Sequence, residues 1–86
     1  MTKVDVLGLL GAHAGLSADD VAGALGVDRP AAGMALLRLL RQGLAWRWFE
    51  EDDRHLRYAL TERGAERHTY LLGIPANGGR IGAGLR

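Results

Sequence analysis

Cysteine is absent from the 86-residue chain, which excludes disulfides and any thiolate-held metal or redox centre. Proline occurs twice, so few positions force a break in a helix or strand. No run approaches the roughly 18 apolar residues that cross a bilayer. Asp5 interrupts the apolar stretch near the start, so neither a secretory leader nor a membrane partner is expected, and the expected location is the cytoplasm. The length fits one domain. A chain this short buries only about 60% of its unfolded surface. Without covalent staples it needs a tight apolar core, a partner subunit, or both. The 48% hydrophobic content allows such a core.

Charge of one sign is scarce overall and concentrated locally. The formal net charge is only +1, yet residues 1–28 sum to −3, residues 29–49 to +4, residues 50–53 to −4 and residues 54–86 to +4. Lysine is nearly missing, since ten of the eleven basic residues are arginine. Arginine is shaped for bidentate contacts with phosphates and base edges. A genomic bias towards arginine codons explains the same count, and the many alanines and glycines fit it equally.

Helical spacing runs from Val4 to His13 through Val4, Val6, Leu7, Leu9 and Leu10, with Thr2 and Asp5 set as a capping box. Gly8 and Gly11 weaken this helix but let another approach. Ser17 and Asp20 repeat the capping signal for a second helix that carries Val21, Ala22 and Leu25 and stops at Gly26. Asp28-Arg29-Pro30 opens a third, to about Gln42, with Ala32, Ala35, Leu36 and Leu39 on one face and Gly43 as its stop. The period then changes. Residues 44–49 and 55–60 read as two strands around the acidic turn Glu50–Asp53. Thr61 caps a fourth helix over about Glu62–Leu72. Residues 73–86 hold five glycines and a proline and are expected to be a flexible tail to a domain of residues 1–72. The fold class is α+β, mostly α: a three-helix core, a two-stranded β-hairpin and a fourth C-terminal helix.

That order of elements is the order of a winged helix-turn-helix. Ala22 lets two helices approach, Gly26 permits the turn between them, and Val27 anchors it. Residues 16–27, the run Leu39-Leu40-Arg41-Gln42-Gly43-Leu44-Ala45, and Asp53-Arg54 followed by Tyr58-Ala59-Leu60-Thr61-Glu62-Arg63-Gly64 resemble MarR-like and PadR-like bacterial regulators. The resemblance covers roughly residues 4–72. It implies a dimeric repressor that binds double-stranded DNA, with the third helix in the major groove and the wing on the backbone or minor groove. It places Arg54 where such proteins carry a wing arginine, with Asp53 orienting it. An arginine at that place suits the negative potential of a narrow minor groove.

The candidate DNA contacts are Arg29, Arg38, Arg41, Arg47, Arg54 and Arg57. The outward face of the third helix, however, also presents Pro30, Gly33, Met34 and Leu37, which offer no hydrogen bonds to base edges. A second reading therefore stands beside the first: a protein-interaction module docking through Met34, Leu37, Trp46 and Trp48. Those tryptophans share one face of a strand and are expected to pack on the body or on each other. A homodimer would draw on Leu9, Leu10, Tyr70, Leu71 and Leu72. His13, His55 and His68 lie far apart, so no metal site or cofactor is expected. No nucleophile, base and oxyanion donors come together as an enzyme would need.

Overall fold

Four capping residues decide where the helices begin. In a computed structural model that describes residues 2–73, α1 (Lys3–Ala12) starts behind Thr2, α2 (Ala18–Leu25) behind Ser17, and α3 (Arg29–Arg41) behind Asp28. A hairpin follows, β1 (Ala45–Glu50) and β2 (His55–Leu60), and α4 (Glu62–Leu71) starts behind Thr61. Thr2 and Asp5 exchange their bonds at 2.9 and 3.2 Å, and Ser17 and Asp20 at 3.0 and 3.1 Å. Each pair satisfies two amide groups that a helix end leaves open. The expected boundaries hold to within one residue. Of the Gly-rich tail expected over residues 73–86, all but Gly73 lies outside the described residues.

The core lies where the three N-terminal helices meet the base of the hairpin. Val6, Leu7 and Leu10 of α1, Val21 of α2, Leu36 and Leu39 of α3, and Leu44 are all but sealed from solvent. This corrects one expectation. Leu10, expected at a subunit interface, is 2% exposed inside the chain's own core. Leu9 is half-buried against the same cluster. Because α1 is apolar on nearly every side, its spacing could not separate the inner face from the outer one.

Leu44 does not begin the first strand as expected. Gly43 takes a φ of +73°, and the Leu44 amide donates to the Leu39 carbonyl at 2.9 Å, turning this side chain inward. The strands pair antiparallel from Ala45 opposite Leu60 to Glu50 opposite His55. Leu16 adds a single bridge to Tyr58, tying the loop before α2 to the second strand. At the far end Gly64 packs on the Leu44 backbone, where a β-carbon would overlap the carbonyl oxygen. That contact seats α4. Among the described residues no helix is long and apolar enough to cross a membrane.

Candidate nucleic-acid interface

The turn between α2 and α3 sets the angle of the presented helix. Gly26 ends α2 in the left-handed region at φ 67°, ψ 34°, and the Val27 amide donates to the Ala22 carbonyl at 3.1 Å. Asp28 then caps α3 through the Ala31 amide at 2.8 Å. Burial of Ala32, Leu36 and Leu39 turns the opposite side of α3 outward. Pro30, Met34, Arg38 and Arg41 are exposed there, with Gly33 and Leu37 half-buried. Met34 is 49% exposed. Between Arg29 and Arg38 this face carries no side chain able to hydrogen-bond a base edge.

The six candidate arginines separate into two groups. Arg38, Arg41, Arg47 and Arg54 are exposed, and none of the four forms an ion pair within the described residues. Arg29 is exposed too, but its Nε lies 2.9 Å from Asp19 Oδ1. Arg57 departs from expectation. Its side chain is half-buried, and its Nη1 donates to the Gly15 carbonyl at 2.9 Å. The same group pairs with Asp53 and lies 3.9 Å from Asp20. Arg57 therefore braces the hairpin and is not free for a phosphate.

Asp53 likewise does not orient Arg54. It accepts from the His55 amide at 3.2 Å and from Arg57. The hairpin tip closes instead through the Arg54 amide, which donates to the Glu50 carbonyl at 2.8 Å. Arg54 takes a φ of +59°, the one non-glycine with positive φ among the described residues. Asp20 is held below the ordinary carboxylate range, chiefly by the Ser17 amide, with the Ser17 hydroxyl and nearby Arg57 and His55 adding to it.

Trp46 and Trp48 pack on each other as expected, with ring centroids 4.5 Å apart and planes tilted by 33°. Trp48 also covers Gly15, whereas Trp46 stays 50% exposed. Tyr70, Leu71 and Leu72 are exposed at the end of the chain's last described helix. Two exposed apolar residues carried no role in the sequence reading. Phe49 is 52% and Leu56 41% exposed, and they stand opposite each other near the hairpin tip. Alternation marked both as strand residues but could not say that this end overhangs the body. Arg63, also unassigned, comes close to Gly43 at the turn after α3. Among the described residues no cluster of His, Asp or Glu is placed to hold a metal.

Neither a protein-family model nor a curated protein matches the sequence. Solved structures do match in shape. MepR of Staphylococcus aureus, in a complex with DNA, aligns over 85% of this chain and 62% of its own length, at 28% identity and a TM-score of 0.74. The YusO protein of Bacillus subtilis aligns over 83% of this chain and 51% of its own, at 25% identity and a TM-score of 0.78. FabT of Streptococcus pneumoniae, also in a complex with DNA, aligns over 83% of this chain and 50% of its own, at 22% identity and a TM-score of 0.75. The fold is a winged helix. These winged-helix neighbours are regulators of the MarR type, and nothing among them speaks for PadR-like proteins in particular. This winged helix spans between half and two thirds of the length of those three proteins. In its terms α2 and α3 are the helix-turn-helix and β1–β2 the wing.

Proposed function

We propose that the chain binds double-stranded DNA as a transcription regulator, with α3 in the major groove and the wing on the backbone or minor groove. One observation carries this reading. Four arginines on the presented helix and the wing, Arg38, Arg41, Arg47 and Arg54, are exposed and have no acidic partner among the described residues. Cations left in solvent on these two elements suit a polyanion that follows them. The likeness to MepR, solved with DNA, supports it. Arg29 joins the set once a phosphate competes with Asp19. Arg57 acts indirectly, by holding the wing. Residues 1–72 form the DNA-binding domain of a repressor or autoregulator in the cytoplasm, and Tyr70, Leu71 and Leu72 with Leu9 serve a homodimer.

The bare middle of α3 implies weak base readout, with affinity drawn mainly from phosphates. Binding to a random-sequence 20-base-pair duplex, followed by anisotropy at several salt concentrations, tests this. Each neutralised phosphate adds about −0.9 to the slope of log affinity on log salt. Four to five contacts then give a slope of about −4. No binding at low salt, or a slope near zero, overturns the reading.

The exposure of Met34 favours a second reading, in which α3 and Trp46 dock a protein. Met34→Ala separates the two. It leaves DNA affinity nearly unchanged under the first reading and abolishes a protein complex under the second.

A further inference from the structure

The wing carries an apolar pair that arginine contacts alone leave unexplained. Residues directly opposite on paired strands share a face. Phe49 and Leu56 are such a pair, and alternation puts Arg47 and Tyr58 on the same face. The inner end of this face is closed, because Tyr58 is buried and bridged to Leu16. Its outer end is open. There Phe49 and Leu56 wall a cleft of about 370 Å³, with Ser17 and Arg29 across from them and Arg54 at the tip. The cleft thus combines two guanidinium groups with an apolar wall.

That combination matches one strand of a duplex. A sugar–phosphate strand alternates anionic phosphates with deoxyribose rings whose C–H faces are apolar. A free phosphate would use the arginines and leave the wall bare. A purely apolar partner would leave Arg54 without a counter-charge, whereas Arg29 already has Asp19 and turns to a phosphate only in exchange for it. Resting on the DNA-binding reading above, we propose that Phe49 and Leu56 pack against deoxyribose rings of the DNA strand that passes between the wing and the start of α3, while Arg29 and Arg54 hold the flanking phosphates. The pair supplies affinity that depends on neither base sequence nor salt. It also fits a wing that follows a helix poor in base-reading groups.

Salt dependence separates this contact from an ionic one, because apolar packing releases no counterions. The test is anisotropy with two unrelated 20-base-pair duplexes over a range of salt, using the full chain and Phe49→Thr/Leu56→Thr. Threonine keeps strand propensity. Both positions are exposed, so thermal unfolding of the double variant should match the parent. The expected result is an affinity loss of about tenfold on both duplexes, with an unchanged salt slope. Phe49→Leu should recover most of the loss. Arg54→Gln should instead make the slope shallower by about 1.

Parent affinity in the double variant overturns the inference and leaves the DNA reading intact. So does a loss accompanied by a shallower slope, since the pair would then act only by placing Arg54. So does a loss confined to one duplex. Failure of the parent chain to bind either duplex removes the DNA-binding reading itself, and the sugar contact with it.

Discussion

Arg57 donates from Nη1 to the carbonyl of Gly15 at 2.9 Å, joining two residues 42 positions apart. The same guanidinium reaches Asp53 in the hairpin loop and faces Asp20 in α2. One side chain thereby links the wing, the loop after α1 and the first turn of α2. Gly15 accommodates it with a φ of +86°, lying beneath both Trp48 and the Arg57 stem.

Arg57→Gln should lower stability by about 1–2 kcal/mol, since a charge-assisted bond to a half-buried carbonyl is lost. Its larger effect should be on the wing. Backbone relaxation by NMR should show residues 50–56 gaining motion, while those of α3 stay as before. A wing as rigid as the parent's would refute the bracing role.

Gly64→Ala should destabilise the fold by about 2–3 kcal/mol although alanine is the better helix former. A β-carbon there meets the Leu44 carbonyl oxygen, with the carbonyl carbon at 2.9 Å and Leu60 Cδ2 at 3.1 Å. Backbone cannot yield as a flexible side chain can, so α4 must shift. Urea unfolding of the two proteins measures the loss.

The acid limb of the stability curve should depend on Asp20. Its carboxylate is held below the ordinary value of 3.8, first by the Ser17 amide. A depressed folded pKa stabilises the fold above the unfolded pKa, and that contribution disappears as pH falls through the folded value. Asp20→Asn should therefore show a smaller drop in urea midpoint between pH 5 and pH 2 than the parent. Ser17→Ala, which removes the other half of the box, should cost about 1 kcal/mol at neutral pH.

Arg54→Gly should move two properties in opposite directions. A left-handed conformation costs a side-chain-bearing residue roughly 1 kcal/mol, which glycine avoids. Thermal unfolding should show a gain of about 0.5–1 kcal/mol. Duplex affinity should fall together with its salt slope.

Features governed by near neighbours were legible in the sequence. Thr2, Ser17, Asp28 and Thr61 cap helices because each bonds an amide three residues on. Gly26 stops α2 for the same local reason. Long-range features were not. Arg57 could be recognised as a strand cation, but nothing near it pointed to Gly15. Asp53 stood beside Arg54 in sequence, yet it pairs with Arg57 four positions on, a local contact that the shape of the hairpin turn decides and residue spacing does not. Leu10 and Leu9 were equivalent by spacing, and only the packing of α1 on its neighbours separated them. Phe49 and Leu56 belonged to alternating strands whose outer end extends past the core, a matter of hairpin length against body size.

The chain has two tryptophans, and both sit in the stacked pair on β1. Indole transitions this close couple, so the near-ultraviolet circular dichroism of the protein should be dominated by one strand of six residues. Its fluorescence comes from the same place. The molecule therefore holds an intrinsic optical gauge on its wing, one that reads a change at the hairpin on ligand addition without any label and is blind to most of what happens in the helices.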